Sequence, residues 1–172
     1  MKFFMHGLLS LLLLISITVS GQHTSSIKAA AMDMGNALAQ KNSQKFIGYM
    51  HPVMVELAGG EEQLRMISDS ALNVFEQLGG KVSKISFGNP GEVVNHKKIL
   101  QSVIPQTMTL TSFIADIELS TNLIAISEDG GKNWRFIDTN LFNIKQIKSA
   151  MPEISPALVI PKSTPPKITT KQ

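Results

Sequence analysis

The side chains best suited to chemistry stand close together at Tyr49, His51, Met54 and Glu56. An imidazole two residues after a phenol and five before a carboxylate can accept a proton as a general base, or orient a ligand as a donor. Helical spacing at Phe46, Tyr49 and Met50 predicts a short helix ending near His51, because Pro52 disfavours helical geometry in the residue before it. A histidine in a last turn is also favoured by the helix dipole, which explains His51 without any site. Tyr49, His51 and Met54 are the expected ligand-binding residues, and no catalytic residue is assigned.

Other chemistry finds less support. His96 precedes Lys97-Lys98 in a solvated turn, and His23 stands near the expected mature N-terminus. The chain has no cysteine, no His-x-x-x-His pair and no Asp-rich calcium loop, so no metal site is expected. No Gly-x-Ser-x-Gly elbow and no phosphate-cradling glycine pattern occurs. No cofactor is expected either. The nine methionines include Met1 and Met5 of the apolar leader, while Met34, Met50, Met54, Met66, Met108 and Met151 stand at or near apolar periodic positions and read as core filling.

Residues Ser127-Glu128-Asp129-Gly130-Gly131-Lys132-Asn133-Trp134 resemble an Asp-box, the hairpin repeated in sialidase-like β-propellers. Asn133 replaces the usual threonine and one copy cannot make a propeller. The resemblance implies a folding turn in which the aspartate accepts backbone hydrogen bonds and the tryptophan packs beneath. It implies no glycosidase activity.

The elements that must position these residues follow from periodicity. Ile27, Ala30, Ala31, Met34 and Leu38 predict a first helix from about Ser25. After the short helix, Val53–Leu57 reads as a strand ended by Gly59-Gly60. Leu64, Ile67, Ala71, Val74, Phe75 and Leu78 mark a long amphipathic helix, with Glu61 and Glu62 in its first turn. Strands follow at Ile85–Phe87, Val93-Val94 and Ile99–Phe113, β character continues at Ile117 and Leu119 and then at Leu123–Ile126, and Trp134–Ile137 completes it, with a closing helix near Asn143–Met151.

Composition sets the frame. At 172 residues and 43% hydrophobic, the chain suits one domain with one core. Setting Lys2 aside, 15 basic residues face 13 acidic ones, a charge of +2 that argues against a nucleic-acid partner. Lys2, the apolar run Leu8–Val19 and the small residues to Gly21 predict a signal peptide over 1–21, and thus a periplasmic or secreted protein. The run is too short for a membrane anchor that would persist after cleavage. Residues 22–160 form the expected single α+β domain, and the Pro, Thr and Lys content of 161–172 predicts a disordered tail.

This element order, with the stretch His51–Gly60, resembles the nuclear-transport-factor-like (SnoaL-like) superfamily. The resemblance implies an α+β fold in which a curved antiparallel sheet wraps the N-terminal helices as a cone. It also implies a small apolar ligand inside the cone and a homodimer formed through the sheet. The expected function is a non-enzymatic binding module with its pocket between sheet and helices. The alternatives are an enzyme using His51 as general base, or a pocketless interaction protein pairing through its sheet.

Overall fold

The computed structural model describes residues 3–77 and 79–171, with residues 3–20 described by backbone alone. α1 spans Phe3–Ala39 and buries Ile27, Ala31, Met34 and Ala37 along one stripe. This is the face that the sequence spacing marks. Gly35 lets the helix approach the sheet, since a Cβ there would stand 2.9 Å from the Phe87 ring. The expected export segment, residues 1–21, has its side chains outside the described residues except at Gly21. α1 runs unbroken across the expected cleavage point, so the expected signal peptide does not stand out as a separate element. Among the described residues, no helix is long and apolar enough to cross a membrane.

α2 (Ser43–Gly48) is capped by the Asn42 side chain, which accepts from the Lys45 amide at 3.0 Å. The stretch expected to be a strand is instead α3, Pro52–Ala58. The dipeptide His51-Pro52 starts this helix as well as ending the last one. Proline at the first helical position gives up only an amide that would lack a partner anyway, and His51 caps it. Gly59, at φ 88°, ends α3 in the left-handed region. α4 follows at Glu61–Gln77.

Six strands form one open sheet in the order β1-β3-β4-β5. These are β1 (Lys81–Phe87), β2 (Val94–His96), β3 (Ile99–Thr111), β4 (Ala115–Ser127), β5 (Arg135–Asp138) and β6 (Lys167–Thr170). β2 pairs with the start of β3 through a two-residue turn at Lys97-Lys98, both at positive φ. β6 adds to β4 opposite Ala115–Glu118, so part of the expected disordered tail is a strand. α5 (Ile144–Ala150) precedes the extended C-terminal segment and carries a capping box between Asn143 and Gln146.

The expected cone is not present. β1 and β5 are opposite margins that do not join, and the sheet neither closes nor curls around the helices. The nuclear-transport-factor-like resemblance is corrected on this point, because element order sets connectivity while bulges and strand tilt set curvature. The core lies in one half of the sheet, around Val103, Ile104, Leu123–Ile126, Phe136 and Ile137. α1 and α2 cover one side of that half. Residues 153–161 are tied to it through Gln101 and Asn122. The half of β3 and β4 beyond Thr107 and Ser120 is only partly buried.

Candidate functional site

The space between α1, α2 and the sheet, where an enclosed apolar pocket is expected, is nearly full. A void of about 40 Å³ remains between Met34, Phe46, Met50, Phe87, Gln106 and Asp138. That is room for little more than a water molecule. A binding module with its pocket there, and a small apolar ligand inside it, are corrected by this packing.

The large cavity lies elsewhere. An open cleft of about 730 Å³ runs between α1, the junction of α2 and α3, and the β4–β5 hairpin. α1 contributes Ser26, Ala29, Ala30 and Asp33, and the junction contributes Gly48, Tyr49, His51 and Pro52. Glu128 to Arg135 of the hairpin form the third wall. A smaller hollow of about 220 Å³ shares His51, Pro52 and Glu128 with it, and is further lined by Glu56, Ile99 and Glu153.

Backbone pairing holds the junction in place. The His51 amide donates to the Phe136 carbonyl at 2.9 Å, and the Phe136 amide donates to the Tyr49 carbonyl at 2.8 Å. Met50 thereby makes a parallel bridge that continues the sheet past β5. The open margin of β5 is covered at this point, and β6 covers part of the margin of β4. Another outer strand, β1, carries Lys81, Lys84 and a register shift between Val82 and Lys84, devices that oppose edge-to-edge pairing. The reading of a pocketless protein is corrected by the open cleft.

The hairpin is built by Asp129. Its Oδ1 accepts from Ser127 Oγ (2.8 Å) and from the amides of Lys132 (3.1 Å) and Asn133 (3.0 Å), while Oδ2 accepts from Asn133 Nδ2 (2.6 Å). Trp134 is buried beneath, donating from Nε1 to Ser26 Oγ at 2.9 Å and meeting the His23 ring edge-on at 6.1 Å. The Asp-box resemblance therefore describes the turn itself. Gly131, at φ 90°, is needed here because a Cβ would collide with His23.

These hydrogen bonds, chiefly from Asn133, hold the Asp129 carboxyl down to a pKa of about 2. An unfolded-state aspartate titrates near ~3.9, so the fold binds the ionised form more firmly than the unfolded chain does. The stabilisation is complete above that value and is lost as pH falls through about 2. Asp129→Asn removes it, so the gap in unfolding free energy between the two proteins should be constant at neutral pH and close on acidification. Urea titrations along a pH series measure this, and a gap unchanged down to pH ~2 contradicts it.

His51 faces the cleft in a defined protonation state. Its Nδ1 accepts from the Val53 amide at 3.2 Å, which caps α3 and leaves the proton on Nε2. Among the described residues Nε2 has no hydrogen-bond partner, although His51 is only 8% exposed. The nearest carboxylate oxygen, Glu128 Oε1, is 3.9 Å away on a side chain that is 69% exposed. Burial pushes the imidazole pKa below its ordinary value, Glu128 opposes this, and Arg135 adds to it. This overturns the general-base reading: the free nitrogen bears a proton, and Nδ1, where an orienting acid would sit, is occupied by a backbone amide. His51 also stands at the start of a helix, where the dipole disfavours imidazolium, rather than at the end of one.

Of the residues expected to bind ligand, Tyr49 and His51 both line the cleft, and Met54 is fully buried in the core. The Tyr49 hydroxyl donates to Asp33 Oδ2 at 3.4 Å, and burial, reinforced by Asp33, raises its pKa. Sequence reasoning missed Asp33, Lys132 and Arg135. Lys132 and Arg135 could have been found from the hairpin, which brings both next to the turn. Neither makes an ion pair among the described residues. No cluster of three His, Asp or Glu able to hold a metal ion occurs among those residues.

The chain matches no protein-family model, no curated protein and no solved structure.

Proposed function

We propose that the chain is a recognition domain whose open cleft takes a small polar ligand through a carboxylate placed on the Nε2–H of His51. The carrying observation is that donor: buried, fixed in direction by the cap to α3, and unmatched. A buried donor without an acceptor costs about 1–3 kcal/mol, and a ligand oxygen at that position removes the penalty on binding. Arg135 and Lys132 supply positive charge to the same cleft, and charge-assisted bonds are about twice as strong as neutral ones. Glu128, whose side chain is 69% exposed, can swing into solvent to admit the ligand. The half-polar lining suits such a ligand better than an apolar one.

N-acetylglycine, with N-acetylglycinamide as the neutral control, tests this on the full chain by imidazole ¹⁵N–¹H correlation spectra. The acid should shift the His51 Nε2–H resonance and the amide should act much more weakly. His51→Asn keeps a good helix cap while removing the reach of the donor. It should fold as before and bind the acid at least ~10-fold more weakly, the loss of about one charge-assisted hydrogen bond. Equal response to acid and amide, or unchanged affinity in His51→Asn, overturns the proposal.

A further inference from the structure

α4 carries two apolar stripes and the fold uses one. Leu64, Ser68, Leu72 and Phe75 turn inward. Ile67, Ala71 and Val74, at i, i+4 and i+7, face solvent, with Ile67 45% and Val74 58% exposed. Sequence spacing marks Ile67, Ala71 and Val74 as buried together with Leu64 and Phe75, and of these only Leu64 and Phe75 turn inward. A polar exterior would be ordinary there, whereas a continuous apolar stripe is not. Beyond the end of α4, the Phe113 ring stands against Gly79 and is 76% exposed.

We infer that this stripe is an interface between two copies of the chain, which pack α4 against α4 about a twofold axis. The spacing of three and four residues is the one that seats side chains of one helix between those of another, and the small Ala71 at its centre lets the two axes approach closely. The rim decides the occupant. Gln63, Ser70 and Gln77 border the stripe and are uncharged, so two identical surfaces meet without repulsion, as an isologous contact requires. The charges of α4 lie round the far side. There Arg65 pairs with Glu62 and Asp69, and Glu76 pairs with Lys41. A lipid surface is the poorer occupant, because membrane-seeking helices flank their apolar stripe with Lys and Arg, while α4 has four acids and one arginine. α4 is already folded within the domain, so association need not also form a helix.

Sedimentation velocity of the full chain over a concentration series tests the inference. The wild type should pass from monomer to dimer, and Ala71→Glu should dissociate at least ~10-fold more readily while its melting temperature stays unchanged, because the position is exposed. The chain lacks cysteine, so Ala71→Cys and Asn73→Cys each place a single thiol on α4. A short bis-maleimide should link Ala71→Cys into dimers at least ~10-fold more efficiently than Asn73→Cys, which points elsewhere. A wild type that stays monomeric, an Ala71→Glu protein that dimerises equally, or equal cross-linking at both thiols overturns the inference. So does stripe-dependent sedimentation with phosphatidylglycerol vesicles by a monomeric wild type, which assigns the surface to lipid.

Discussion

Gln101→Ala should destabilise the fold by about 3 kcal/mol, read as a shift in the urea midpoint at constant slope. Gln101 has no solvent exposure in β3, and its amide bonds at both ends to the C-terminal segment. Nε2 donates to the Glu153 carbonyl at 2.7 Å, and Oε1 accepts from the Ser155 amide at 2.9 Å. Alanine removes both and leaves a carbonyl and an amide without partners, each costing about 1–3 kcal/mol where water cannot reach. It also opens a void at a side chain that has no solvent exposure. Gln101→Leu should refill the volume and recover little, because the two backbone groups remain unmatched. Hydrogen exchange at the Ser155 amide should accelerate in both variants. A loss under ~1 kcal/mol for alanine would mean that residues 153–161 find other partners.

Gln101 also shows where the sequence stops being informative. Its partners stand 52 and 54 residues along the chain, and nothing in a run of Leu-Gln-Ser-Val announces a buried amide. Local patterns fared better. The first helix, the strands other than β6 and the closing helix near Asn143 are legible because each rests on spacing within a few residues, whereas β6 lies in the stretch read as a disordered tail. The stretch Val53-Met54-Val55 reads as a strand by its β-branched residues, yet the backbone follows Pro52 at the first helical position and the cap from His51. Propensity is a weak prior beside such a start signal. The α4 pattern identifies the helix and, at Leu64 and Phe75, its inward side, but Ile67, Ala71 and Val74 of the same pattern are exposed, since periodicity shows that a stripe exists and not which neighbour covers it. The cone failed for a related reason: the same order of helices and strands is compatible with an open sheet. At the site, Tyr49 and His51 were accessible to reasoning because Pro52 fixes a junction there. Asp33, Lys132 and Arg135 join them only through packing of α1 against the hairpin.

That packing depends on Trp134, and Trp134→Ala should cost about 4 kcal/mol, within the range for large aromatic deletions from a core. The indole is buried at the base of the hairpin, and it supplies both apolar area and a directed hydrogen bond to α1. Ser26 Oγ, which accepts from Nε1, in turn donates to the His23 carbonyl at 3.0 Å. The indole therefore locks the α1 backbone as well as the hairpin. Trp134→Phe keeps most of the packing and loses the hydrogen bond, so it should cost about 1–2 kcal/mol. A double-mutant cycle with Ser26→Ala should return a coupling of roughly 1 kcal/mol, whereas independent contributions would return zero. The consequence reaches the cleft, because Ser26, Asp33 and the hairpin cations lie on the two walls that the indole joins. If the cleft recognises a carboxylate with these walls, Trp134→Phe should weaken N-acetylglycine binding while the His51 imidazole keeps its Nδ1 cap to Val53. Unchanged binding would place the recognising groups on the α2–α3 junction alone. The single tryptophan makes its own fluorescence the probe of wild-type unfolding, free of any second emitter.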